Sequence, residues 1–436
     1  MTLYRKSFVL LQEFWSIIKQ YKGQVQNNPK FKQTVTLLSV NILSIPISIV
    51  SSIIITRFLG PSAYGDFQFL FNVINLSVVV LTFGFFQAGN RALVLNNDAR
   101  AARELYAAVL VILVFLFLVM SIVLMIYAIL DENINEKGIR HIFFLLIPFS
   151  WVFLLVKYFE VLFQADNKIK LLAASRFFPK LAFLIVVLII YLVWFDYSGD
   201  RLKIILGASL LTQIITYSYI VYRVHPSFKN LKNRIREIYF FNRAYGFNVY
   251  LGSVMAVGFS QLTGILISYF AGDNSGVGFY SLAVTIAGPL SFIPNIIATT
   301  HYKDFSSSKS IPRKLLLLTL AISFVALIMT LVLVNPFIKY FYGEGFYPVI
   351  SLTYIVSFGI ILNGFADFVN RFLGAHGEGK ALRNSAFIVG FGLMTLNILL
   401  IPRYGETGAA FTQLFSGLIY ILCMYWYYRR FTRRAK

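Results

Sequence analysis

Long apolar runs alternate with short polar breaks along this chain, and the runs set its architecture. Twelve windows stand out: 37–58, 68–90, 106–130, 140–163, 172–195, 202–223, 246–270, 277–300, 315–335, 348–372, 382–402 and 408–428. Each is long enough to cross a hydrocarbon core as an α-helix, which takes about 20 residues. The pattern predicts an all-α integral membrane protein of about 12 transmembrane helices. An even number of crossings puts both termini on one side.

Before the first window, Phe8, Leu11, Phe14, Trp15 and Ile18 share a helical face, with Arg5, Lys6, Gln12 and Lys19 away from it. That spacing predicts an amphipathic helix on the inner leaflet, against the plainer reading of a tail with chance spacing. The segment lacks the apolar core and small-residue cleavage site of a signal peptide.

Charge supplies the orientation. With the N-terminus in the cytoplasm, 32 of the 39 Lys and Arg fall in cytoplasmic segments or at inner span ends. Only Arg57, Lys137, Arg140, Arg201, Lys203, Lys339 and Arg403 fall opposite. The bias predicts N- and C-termini in the cytoplasm. Arg429, Arg430, Arg433, Arg434 and Lys436 then face anionic lipid. The net charge of +21 is thus a consequence of topology. Nucleic acid is not a partner, because the basic clusters flank spans instead of forming one module. Charged residues make up 13% of the chain, about half the usual share in soluble domains. The single Cys423 has no partner for an intramolecular disulfide.

The halves echo each other. Arg57–Phe67 after span 1 superposes on Tyr269–Tyr280 after span 7 with one inserted residue. Phe163–Lys170 after span 4 superposes on Leu373–Lys380 after span 10 at an offset of 210. Six spans per half predict two six-helix lobes related by an axis along the membrane normal, with a cavity between them. The expected divisions are 1–33 as a cytoplasmic amphipathic segment, 34–223 as the N-lobe, 224–245 as a basic linker, 246–428 as the C-lobe and 429–436 as a basic tail. Pro46, Pro148, Pro179, Pro289 and Pro294 lie inside spans, where each marks a hinge or a static packing kink. Span 1, with Asn41, Ser44, Ser48, Ser51 and Ser52, is the expected cavity-lining helix.

Enzyme chemistry is not written in the chain. His141, His225, His301 and His376 show no metal-ligand spacing, and there is no Walker motif. Gly374–Gly379 follows no strand and reads as an inter-helix turn. No metal and no cofactor are expected. Charge inside the membrane is the better guide, because each such group costs about 3 kcal/mol unless it meets water or a partner. Lys157 and Glu160 lie three apart, and Asp367 and Arg371 four apart, each pair on one helix face. Asp367 and Glu160 are ion-coupling candidates; snorkelling to the interface is the bland alternative. Arg57, Arg91, Lys157, Arg176, Lys180 and Arg371 are candidates for lining a substrate cavity and meeting an anionic group, since guanidinium forks phosphate oxygens, against interfacial anchoring. Asn72, Gln87, Asn90, Gln261 and Asn363 suit sugar hydroxyls or, equally, helix–helix hydrogen bonds.

Several segments in order carry a family resemblance. They are Arg57-Phe58-Leu59-Gly60 with Tyr64-Gly65, Gly84 through Arg91, Phe163-Gln164-Ala165 with Lys168, Gly276 through Tyr280, Tyr342 through Phe346, and Asn397 through Ala410. Together they resemble the bacterial polysaccharide transport family of Wzx-type lipid-linked oligosaccharide flippases, within the multidrug/oligosaccharidyl-lipid/polysaccharide flippase superfamily. The resemblance implies a two-lobed, multi-pass protein of the bacterial inner membrane. It implies transfer of undecaprenyl-diphosphate-linked oligosaccharide between leaflets for O-antigen, capsule or exopolysaccharide, with H+ or Na+ coupling and with polymerase and chain-length partners. In the lipid II flippase branch an adjacent Arg-Asp stands where Ser51-Ser52 stand here. Two other readings compete. A cation-coupled multidrug or metabolite antiporter of the same fold would favour an acidic site in spans 1–3, where no deep carboxylate occurs. A polymerase or ligase would favour a long extracytoplasmic loop, and every such loop is short.

Overall fold

A computed structural model describes residues 29–96, 98–193 and 199–434; the amphipathic segment around Phe8–Lys19 lies outside them. The described residues form helices and turns only. The helices, in chain order, are α1 (Pro29–Leu81), α2 (Phe85–Leu95), α3 (Ala99–Leu130), α4 (Glu132–Glu136), α5 (Arg140–Leu146), α6 (Trp151–Ala165), α7 (Ile169–Val193), α8 (Arg201–Val224) and α9 (Leu231–Phe241). They continue with α10 (Phe247–Ser253), α11 (Phe259–Phe270), α12 (Ser275–Ala287), α13 (Pro289–Thr300), α14 (Tyr302–Ser307), α15 (Arg313–Phe341), α16 (Pro348–Ala375) and α17 (Gly379–Arg434).

Eight helical stretches among the described residues are long and apolar enough to cross a membrane, or nine if one bent pair is counted as a span. The difference from twelve windows has local causes. α1 and α17 run for 53 and 56 residues, about 80 Å each if straight, far more than a bilayer accommodates. Each is broken by a glycine outside helical geometry, Gly60 (φ 76°, ψ 176°) and Gly405 (φ 54°, ψ −133°). Side chains other than hydrogen scarcely reach such backbone. Window 68–90 pauses at Thr82–Gly84 between α1 and α2. Window 246–270 is divided into α10 and α11 by a π-helical stretch, Val254–Gly258, and window 277–300 restarts at Pro289, the first residue of α13.

Of the prolines, Pro148 sits in the turn where Arg140–Phe149 meets Trp151–Ala165 at 45°. Pro46, Pro179 and Pro294 lie inside helices that continue past them.

The outside of the bundle is apolar. Leu118, Ile122, Leu192 and Val332 are exposed, and Leu130 shows 74% of its surface. A water-soluble protein does not carry such area; here lipid is the solvent, and the protein is a multi-pass membrane protein. Inside, several buried hydroxyls are satisfied within their own helices: Thr56, Thr212, Thr353 and Ser385 donate to carbonyls four residues back, whereas those of Ser323, Ser357 and Thr412 have no partner among the described residues. Without water at that depth an unpaired hydroxyl would be costly.

The basic segment between the halves is itself ordered as α9 and fastened to the first half. Glu104 of α3 is buried, and Arg234 of α9 reaches it at 3.0 Å while holding Glu237 at 2.8 Å. Asn96 donates to the same Glu237 at 2.9 Å. Removing one partner of a buried pair strands the other, although Arg100 remains 3.6 Å from Glu104. Arg234→Ala is therefore expected to lower stability by about 2–3 kcal/mol, read as thermal unfolding in detergent. Adding Glu104→Gln should recover most of the loss. Equal melting of both variants would show that the pair contributes nothing.

Candidate functional site

Polar groups that cannot be packed against apolar helices collect around open space. A cavity of about 460 Å³ lies among α1, α6, α7 and α8, and a neighbouring space of about 440 Å³ reaches α12 and α13. Asn41, Ser44, Glu160, Arg176 and Lys180 line both, so the two form one site between the N- and C-terminal halves of the chain. Arg176 and Lys180 are a turn apart, about 10–16 Å along α7 from its start. Asn75, Thr212 and Gln213 add hydrogen-bonding groups, and Ser48 lines the second space.

The charges are arranged unequally. Glu160 accepts from Lys157 Nζ at 2.8 Å and from Arg176 Nη2 at 3.2 Å across helices. Lys180, exposed to the cavity, makes no hydrogen bond or ion pair within reach of another described residue. A cation with no counter-ion among the described residues, facing a polar space at membrane depth, is a place for an anion.

A second chamber of about 350 Å³ lies in the C-terminal half, between α16, α17 and the start of α11. Asp367 there accepts from Tyr420 Oη at 2.9 Å and Asn295 Nδ2 at 3.2 Å, and Asn370 donates to Tyr420 at 2.9 Å. Six of its lining residues stand 210 positions after residues lining the first cavity: Asn363, Asn370, Ala386, Val389, Gly390 and Leu393 after Phe153, Glu160, Arg176, Pro179, Lys180 and Phe183. The charge is inverted between the two. Ala386 and Gly390 stand where Arg176 and Lys180 stand, and Asp367 stands where Lys157 stands.

At the end of the bundle carrying Gly60 the halves touch. Gly65 packs against the backbone of Asn274, so closely that a methyl group there would sit 1.7 Å from the Asn274 carbonyl oxygen. Asn274 Nδ2 donates to Asp66 at 2.7 Å. Lys137 donates to the Ser268 carbonyl, to Ser268 Oγ at 2.8 Å and to Asn274 at 3.0 Å. Ser52 meets Tyr342 at 2.8 Å. The two segments that match in sequence, 57–67 and 269–280, thus lie against each other.

The remaining candidates are placed as follows. Arg57 donates to the Phe341 and Tyr340 carbonyls, both at 2.6 Å, at the C-terminal end of α15, and is away from the cavity. Asn90 ties α2 to the Val161 carbonyl of α6 at 2.6 Å. Arg91 is exposed, 6.0 Å from the centre of the Tyr245 ring. Gln87 and Lys157 share a space of about 160 Å³ beside Tyr250, where Gln87 Oε1 is buried without a partner. Asn72 lies against Gly264. Gln261 is half-buried on α11 and lines neither chamber. Asp367 and Arg371 lie four apart on α16, but no ion pair within 4 Å joins them: Arg371 is exposed, while Tyr420 and Asn295 hold the Asp367 oxygens. Sequence reasoning passed over Asn295, Gln213 and Tyr420; each is a polar residue inside an apolar window, the only signal available.

The family model described as polysaccharide biosynthesis protein matches residues 31–303, which include every residue lining the first cavity. The chain belongs to that family. It is 22% identical over 414 residues to the capsular polysaccharide biosynthesis protein CapF of Staphylococcus aureus, covering 89% of this chain and 97% of that one. Its fold is similar to that of the lipid II flippase MurJ in an inward closed conformation, with a TM-score of 0.70, 13% identity, and coverage of 92% and 90% of the two chains. It is also similar to an inward-facing multidrug resistance MATE family transporter of the MOP superfamily, with a TM-score of 0.63, 14% identity, and coverage of 92% and 99%. The family match ends before Asp367; of the residues lining the second chamber it includes only Met255 and Ser260.

Proposed function

We propose that this polysaccharide biosynthesis family member is a flippase that carries an undecaprenyl-diphosphate-linked oligosaccharide from the inner to the outer leaflet of a bacterial cytoplasmic membrane. The observation that carries the reading is Lys180, a cation without a counter-ion among the described residues, beside Arg176 in a polar cavity at membrane depth. A diphosphate has the charge to fill it, and Asn41, Asn75 and Gln213 offer bonds to sugars. Such a headgroup is too costly to move through bare hydrocarbon, whereas the prenyl tail stays in lipid. No covalent bond is made or broken. With Gly60 and Gly405 counted as turns, the chain makes twelve crossings in two six-helix lobes, with both termini cytoplasmic; the Gly60 end then faces outward and the cavity lies nearer the cytoplasm.

An ion gradient drives the cycle in this reading. Glu160 already holds two cations, so Asp367 is the carboxylate available to H+ or Na+. Asp367 also favours a second reading, a cation-coupled antiporter of drugs or metabolites. One experiment separates them: the leaflet distribution of lipid-linked oligosaccharide, measured by mass spectrometry after outside-only enzymatic labelling, in cells with and without the protein. A defined oligosaccharide trapped inside upon loss supports the flippase, and its mass identifies the cargo. An unchanged lipid-linked pool with reduced efflux of small cations overturns it in favour of the antiporter.

A further inference from the structure

Two cations and one carboxylate line the cavity, Arg176, Lys180 and Glu160, and a third cation, Lys157, bonds Glu160 from the adjoining space beside Tyr250. Glu160 bonds Lys157 and Arg176, whereas Lys180 pairs with no other described residue. Among the described residues no other charged side chain lines this space, so the cluster that Glu160 forms with Lys157, Arg176 and Lys180 carries a net of two positive charges. We infer that Glu160 is a built-in counter-anion that sets the charge the cavity accepts. The inference rests on the flippase reading and makes Glu160 a specificity residue instead of a coupling one.

The chemistry follows from what a prenyl diphosphate carries. When its outer phosphate is esterified to a sugar, each phosphorus keeps one ionised oxygen, about two negative charges in all. A bare diphosphate ends in a monoester that ionises further, toward about three. A cavity with two net charges balances the sugar-bearing lipid and leaves the bare one with an uncompensated charge at membrane depth, where charge is expensive. Glu160 would also stand against the extra oxygen. The loaded carrier and the spent carrier lipid differ in just this charge, so the residue keeps the unloaded lipid from occupying the cavity. Arg176 can turn from Glu160 to a phosphate, because Lys157 retains the carboxylate at 2.8 Å.

The test uses the full-length protein in detergent and two probes of equal tail length: farnesyl diphosphate and its methyl-capped diester, which has the lower charge and no sugar. Affinities are measured by calorimetry at low salt, because screening weakens the effect. The wild-type protein should prefer the capped probe. Glu160→Gln should bind the bare probe about tenfold more tightly than the wild type does and reverse the preference. The double variant Lys157→Met with Glu160→Gln returns the net charge to two and should restore the wild-type preference, which a merely structural role for Glu160 would not do. An unchanged preference in Glu160→Gln, with both probes bound, overturns the inference and leaves the flippase reading standing. A wild-type protein that binds neither probe overturns both. If Glu160→Gln does not fold, the double variant, which removes the stranded lysine as well, is compared with Lys157→Met alone: the preferences of these two should differ, and identical preferences overturn the inference.

Discussion

Lys180→Glu is expected to reduce transport of a sugar-bearing prenyl diphosphate by at least about 100-fold. Charge-assisted hydrogen bonds contribute about 1.5–3 kcal/mol each, which alone is roughly 10- to 100-fold in affinity, and the new carboxylate adds repulsion. The protein should still fold, because Lys180 is exposed to the cavity and bonds no other described residue, so nothing is left unpaired when it goes. The measurement is flipping in proteoliposomes beside a melting curve. Normal melting with lost transport is the expected result. Transport within about threefold of wild type would remove Lys180 from the substrate's path and with it the central argument for an anionic cargo.

The second large effect is mechanical. Gly65→Val is expected to keep the Gly60 end from closing. Even a methyl group at this position would lie 1.7 Å from the Asn274 carbonyl oxygen, a backbone atom that cannot rotate aside. The segment around Asn274 must move away, and Lys137 then loses its acceptors on Ser268 and Asn274. In the proposed orientation this traps an outward-open form. A membrane-impermeant thiol reagent should label a cysteine placed at Ser52 in the Gly65→Val background and not in the wild-type background, since Ser52 is buried against Tyr342. Transport should fall more than tenfold. Protected Ser52→Cys in both backgrounds would show that the halves adjust around the valine and that this contact is not the closure.

Helix and membrane were legible in the chain because a bilayer imposes a length and an apolar composition that few other folds need. The count was less legible. Hydropathy registers the apolar run on each side of Gly60 and of Gly405 but not whether the chain bends between them, which depends on backbone angles at one residue. The site divided along similar lines. Lys157 and Glu160 could be paired from spacing, because three residues along one helix fix the distance. The bond from Arg176 to the same Glu160 crosses helices sixteen residues apart, and no periodicity reports it. Asp367 shows the converse: spacing nominated Arg371, but tertiary packing delivered Tyr420 and Asn295 first. Arg57 was visible as an arginine at a span end; that its guanidinium spends itself on the carbonyls of α15 depends on where the other half of the chain lies.

That arginine bears on how freely the halves can part. Beside the packing of Tyr64 on Phe346, the contacts at the Gly60 end include polar ones: Arg57 to two carbonyls, Lys137 to Ser268 and Asn274, Asn274 to Asp66. Beyond the hydrocarbon, each has a replacement at hand, because water re-solvates a released donor or acceptor and the net loss is only about 1 kcal/mol per bond. The same bonds at mid-bilayer would each cost several times more to break. In the proposed cycle hydration thus acts as a third participant, and the polar part of the seal is built from interactions that it can take over and give back.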